Sequence, residues 1–203
     1  VEEQNFVMRK NVLKYDDVMN RHRTRIYEQR RDVLEGNDMS DQVRLWIDEL
    51  IEATVHQFTQ EPYSEEWDLD GLVNTMDSLY KQPKDEPITA DELREDINDI
   101  TRETLIEDFQ EEAREVYDAK EAQLGAELMR ELERFVILQV VDQRWREHLE
   151  NMDYLREGVH LRGMAQKDPL VEYTREGERM FNELGAAIRG EVVLHLFHAE
   201  LEP

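Results

Sequence analysis

Cysteine is absent from this chain of 203 residues, which excludes disulfides, thiolate metal sites and cysteine nucleophiles outright. The absence fits a reducing compartment. Proline and glycine are scarce, five and eight, and leave little punctuation for an all-β fold, so helices are expected. No apolar run approaches the roughly 18 to 20 residues that cross a bilayer, and no signal-peptide pattern opens the chain. Val1 already stands inside a helical pattern, which reads as a segment of a longer polypeptide. Positive charge is also in short supply: 25 basic residues face 49 acidic ones, for a net charge of −24. Bulk attraction to nucleic acid or to an anionic bilayer is therefore excluded.

What is present is enough for a core. Hydrophobic residues make up 39% of the chain, and three Trp, seven Tyr and six Phe exceed what a solvating tail would hold. The charge is unevenly spread. Residues 1–36 carry a net +1, residues 37–124 a net −19 and residues 125–203 a net −6. The acidity belongs mostly to the middle of the chain.

Residues 1–36 contain no proline, and no glycine before Gly36. Met8, Val12, Tyr15, Met19, His22, Ile26 and Val33 fall on one helical face. The expected helix is roughly 50 Å long. Its other face holds Arg9, Lys10, Lys14, Arg21, Arg23, Arg25, Arg30 and Arg31, either a solvated face or cations that meet acidic surface elsewhere. In the middle segment Ser40 is the expected cap of a helix with a stripe of Val43, Ile47, Leu50, Ile51, Thr54 and Phe58, ending before Pro62. A looser stretch with Trp67 and a turn at Asp70-Gly71 precedes a short amphipathic piece through Leu72, Met76 and Leu79. After a connector marked by Pro83 and Pro87, the capping-box pair Thr89 and Glu92 opens one long expected helix. That helix buries Leu93, Ile97, Ile100, Thr104, Phe109, Ala113 and Val116.

The last segment reads as a helical hairpin. Met129, Leu132, Val136, Gln139, Trp145, Leu149 and Met152 form a stripe ending near Arg156. Gly158 and Gly163 bracket a loop, and Asp168 caps a second helix that starts at Pro169. The expected buried stripe of that helix is Leu170, Thr174, Gly177, Phe181, Leu184, Ile188, Val192 and His195. Two such helices with a short link run antiparallel.

Reaction chemistry is sparse. Neither GxxxxGK[ST] nor GxGxxG occurs, so no phosphate is cradled by those routes. Glu157-x-x-His160 is a single metal-like match with a glycine inside it, whereas a di-iron bundle needs two such motifs plus further carboxylates. His195 and His198 allow a two-ligand clip, against the plainer reading of a core or interface histidine. The residues alone end at a helical interaction module, with a stand-alone acidic adaptor for a protein partner as one reading and a metal-dependent helical enzyme as another.

Two stretches go further. D-Q-R-W-R-E-H-L-E-N-M-D-Y-L-R-E-G-V-H-L-R-G-M-A-Q-K-D-P-L-V-E-Y, residues 142–173, closely resembles the two-helix finger of the SecA family, the ATP-driven motors that push preproteins through the bacterial SecY channel. F-V-M-R-K-N-V-L-K-Y-D-D-V-M-N, residues 6–20, is similar to the start of that family's long scaffold helix. The resemblance implies an all-α fold: a long scaffold helix at 1–36, an inserted helical wing domain at 37–124, and an antiparallel two-helix finger at 125–203. It implies a non-catalytic scaffold and wing portion of a translocating ATPase, with no cofactor in this segment. ATP and magnesium would be held by nucleotide-binding domains and zinc by a tail, all outside it.

By the same resemblance, Arg9, Lys10, Tyr15, Asp16, Arg23 and Arg30 of the long helix contact neighbouring nucleotide-binding and preprotein-crosslinking domains. The finger loop, His160, Leu161, Arg162, Gly163, Met164, Ala165, Gln166 and Lys167, meets the SecYEG channel and the preprotein. Gly158, Gly163, Asp168 and Pro169 make the hairpin turn. The family often has Tyr at the fingertip, and the matching residue here is Met164, whose thioether grips varied apolar sequence without needing a hydrogen bond. A cytoplasmic protein peripherally bound to the inner face of the plasma membrane is implied. No nucleic-acid partner is.

Overall fold

A computed structural model describes residues 1–162 and 168–200, with the backbone alone at Arg162. The chain is all-α, as expected, with seven α-helices among the described residues. They are α1 (Glu2–Leu34), α2 (Ser40–Phe58), α3 (Leu69–Tyr80), α4 (Ala90–Glu95), α5 (Arg102–Leu124), α6 (Ala126–Arg162) and α7 (Pro169–His198). A single 3₁₀ turn spans Ser64–Glu66.

Two compact units result. The first combines Val1–Asn37 with Ile137–Ile188, and the second combines Asp38–Val136 with the chain from Arg189 onward. Residues 126–136 and 189–200, expected within the two-helix finger at 125–203, pack in the second unit.

In the first unit α1 buries Tyr15, Val18, His22, Ile26 and Val33. Their spacing of three or four residues keeps one stripe facing inward. Val140, Val141, Trp145, Met152 and Val159 of α6 and Tyr173, Leu184 and Ile188 of α7 complete the core. Gly177 marks a close approach: a Cβ there would sit 2.8 Å from Met152 Cε. The expected α1 stripe fails at its start. Met8 and Val12 are 66% and 47% exposed, and no residue from 1 to 14 is buried.

In the second unit α2 packs on α5 and α3 through Val43, Ile47, Ile51 and Val55, facing Leu72, Met76, Leu105, Phe109 and Tyr117. Ser40 is not the cap of α2. The cap is Met39, and the carboxylate of Asp38 accepts from the Ser40 amide at 2.9 Å. Asp70-Gly71 is not a free turn but the first turn of α3, capped by Asp68, whose Oδ1 accepts from the Gly71 amide at 2.9 Å. Any Cβ at residue 71 would fall 2.3 Å from Asp68 Oδ2 and 2.7 Å from Phe58 Cε1.

The long helix expected from Thr89 is two helices. The Thr89/Glu92 capping box forms, but α4 stops at Glu95, and a second capping box at Thr101 and Thr104 opens α5. Thr104 faces outward as a capping partner, and Leu105 takes the core position beside it. At its far end α7 is capped by a side chain from another helix. Lys120 Nζ donates to the carbonyls of Leu196, Phe197 and Ala199 at 2.5, 3.2 and 2.6 Å. The Leu196 and Phe197 carbonyls are among the acceptors that a helix C-terminus leaves without partners.

Candidate functional site

The segment singled out by sequence lies between α6 and α7. Helix α6 continues past Arg156 to Arg162, so Gly158, Val159, His160 and Leu161 are helical. Gly158 is therefore not a turn residue. No heavy atom lies within 4 Å of a Cβ built there, and the next residue, Val159, is fully buried. The ordinary helical run 152, 155, 159 continues the core face, and one glycine costs too little to stop it. Leu161 is 73% exposed and is the last described side chain of this arm; the side chain of Arg162 and the residues Gly163, Met164, Ala165, Gln166 and Lys167 lie outside the described residues. On the return arm Asp168 caps α7, its Oδ1 accepting from the Leu170 amide at 2.9 Å, and Pro169 takes the first helical position.

Immediately behind that segment α1 meets both arms. The Tyr15 ring lies 4.9 Å from Tyr173 on α7 and 5.5 Å from His160 on α6, centre to centre. The Arg156 guanidinium sits 5.0 Å over the Tyr15 ring and 3.6 Å from Asp16. Tyr15, Val18, Met152, Val159 and Tyr173 form one buried cluster, with Met19, Leu155, Leu170 and Met180 packed around it. Burial raises both phenols above their ordinary range, Tyr173 to about 12, and the Asp168 carboxylate adds to the shift at Tyr15. Both hydroxyls stay neutral at physiological pH.

The α1 residues expected at domain contacts divide. Arg9 and Lys10 are exposed. Tyr15 is buried within its own unit, and Asp16 turns to Arg156. Arg23 donates to Asn20 Oδ1 at 3.1 Å, and Arg30 makes a forked pair with Asp142 at 2.9 and 3.4 Å. Glu157 and His160 are both exposed. Among the described residues no three His, Asp or Glu side chains gather closely enough to hold a metal. His195 is not on the buried stripe of α7. It is exposed, 3.4 Å from Glu191, and Val193, Leu196 and Phe197 take the inward positions instead.

Most polar groups inside the cores, His148, Glu112 and Glu133 among them, were not foreseen, whereas His22 stood on the expected stripe of α1. His22 Nδ1 and His148 Nε2 lie 3.0 Å apart, both rings buried and packed on Phe181. In the second unit the Tyr117 hydroxyl donates to the fully buried Glu133, which Arg130 also pairs at 2.8 Å, and burial raises the Glu133 carboxyl. Glu112 accepts from the Tyr80 hydroxyl, from Gln82 Nε2 at 2.9 Å and from the Ile88 amide at 3.1 Å. The available signal was register: Glu133 stands four residues after Met129, on the inward face.

The model of the SecA Wing and Scaffold domain matches residues 1–200. The chain belongs to the SecA wing and scaffold family. Its relatives include the Protein translocase subunit SecA of Streptomyces griseus, 49% identical, and that of Cutibacterium acnes, 52% identical, each over the whole of this chain. SecA 1 of Thermobifida fusca is 48% identical over 99% of it. The chain spans 21 to 22% of the length of these SecA proteins. None of the described helices is long and apolar enough to cross a membrane.

Proposed function

We propose that this chain is the scaffold and wing portion of an ATP-driven motor that moves preproteins through the SecY channel. In this reading it catalyses nothing itself. Helix α1 relays the state of the parent's nucleotide-binding domains, and the segment from His160 to Lys167 touches the translocating chain at the channel mouth. The observation that supports this reading best is the match to SecA proteins along essentially the whole chain. The geometry is compatible with it. Leu161, three positions before Met164, is exposed, and residues 1–14 expose Phe6, Val7, Met8 and Leu13, apolar side chains suited to packing against further domains.

ATP and magnesium belong to those other domains and zinc to the family's tail, with SecYEG and the preprotein as partners and a peripheral position at the inner face of the plasma membrane. The test uses the full-length protein that contains this segment. With Leu161 and Met164 both changed to Gly, preprotein translocation into vesicles should fall at least tenfold while nucleotide hydrolysis persists. Translocation at the unaltered rate would contradict the reading.

A further inference from the structure

We infer that Tyr15 is a positioning residue for the two arms of the hairpin, acting together with Arg156. Of the described residues around it, His160 stands two positions before α6 ends and Tyr173 four positions after α7 begins. They are 13 residues apart in sequence and are bridged across the 163–167 segment by one aromatic ring from α1, at 5.5 and 4.9 Å. The ring is 6% exposed, so it fills space between the arms rather than lying over them. Arg156 closes the upper face at 5.0 Å and is itself held by Asp16, the neighbour of Tyr15. The spacing of the arms at this point is thus set by a side chain of a third helix. A smaller residue there leaves a void under the place where both arms emerge.

The hydroxyl has no part in this. No hydrogen bond from the phenol is needed, because ring packing and the cation over its face do the positioning. Arms fixed in this way would present the intervening segment at a constant angle, and that consequence rests on the preprotein-contact reading proposed above. The packing itself does not.

Because the chain has no cysteine, Leu161→Cys and Val171→Cys introduce the only two thiols, at positions 73% and 59% exposed on the two arms. Spin labels on both report the inter-arm distance by electron paramagnetic resonance in the 203-residue chain. The unsubstituted chain should give a narrow distribution, Tyr15→Phe the same, and Tyr15→Ala one at least twice as wide. Ile26→Ala, which truncates a residue of α1 that is 2% exposed and lies elsewhere in the same unit, should lower stability while leaving the distance distribution narrow. Should Tyr15→Ala fail to fold, Arg156→Ala, a surface change, should still broaden it. A distribution unchanged in both the Tyr15 and Arg156 variants overturns the inference, as does equal broadening by Ile26→Ala. Preprotein contact is measured separately, so loss of that reading leaves the distance result standing.

Discussion

The buried pair of His22 and His148 has one acceptor nitrogen to share at 3.0 Å, and the far nitrogen of His22 faces Glu178 at 3.8 Å. The arrangement that uses every group keeps the proton of His22 on Nε2, toward Glu178, with His148 Nε2–H donating to His22 Nδ1. Burial lowers both rings from the ordinary histidine range, His148 to about 4, and Arg25 and Arg21 add to the effect at His22. A depressed histidine pKa means that the unfolded chain takes up a proton first. Stability is then full above pH 6.5, falls as pH drops through the unfolded value, and levels off near the folded one. About 2 kcal/mol should be lost by pH 5. Urea unfolding midpoints at pH 7.5 and 5 check this, and His148→Gln, which keeps a hydrogen-bonding group but takes no proton, should flatten the difference. Lys120 offers a second case at this scale. Lys120→Met removes the donor to three carbonyls and should cost about 1 to 3 kcal/mol in chemical denaturation.

For the elements, periodicity and cap chemistry located most of the helices. The Thr89 and Asp168 caps and the Pro169 start were legible because a side-chain oxygen at the right offset has a local target. Two of the errors share a cause, since Gly158 and Thr104 were weighed locally without their packing. Thr104 looked like a stripe residue and is a capping partner, which is why one expected helix became α4 and α5. Gly158 looked like a turn and lies in α6 because Val159 continues the buried face. That difference is measurable. Gly158→Ala should stabilise the chain by about 0.5 to 1 kcal/mol, as expected for a helical glycine with open space around it. A loss of stability in thermal unfolding would place Gly158 outside a regular helix.

At the scale of the whole molecule the net charge of −24 is the dominant sequence feature, and it sits mainly in residues 37–124. Ion pairs such as Arg44 with Asp118 and Glu121, and Arg114 with Asp48, offset only part of it. Self-repulsion of the remainder should weaken as salt screens it, so raising sodium chloride from about 20 to 300 mM should increase the melting temperature. A decrease would mean that the ion pairs outweigh the repulsion.

The candidate site was readable only through two family-specific stretches. Composition and spacing reached no further than an acidic helical module, because the chain offers no phosphate-cradling motif and only one isolated metal-like pair, Glu157 and His160. Tyr15 shows the limit most clearly. The family resemblance implied an interdomain role and the helical spacing an inward face, while only the three-helix packing brings it against His160 and Tyr173.

The central claim is that the segment between α6 and α7 touches a preprotein in transit. In the full-length protein, with Met164→Cys as its sole thiol and a preprotein arrested in the channel, a short thiol-directed crosslinker should join residue 164 to the preprotein in an ATP-dependent manner. Crosslinking to the preprotein is the predicted result, and its absence from an arrested complex that still crosslinks at other positions of the motor would contradict the account.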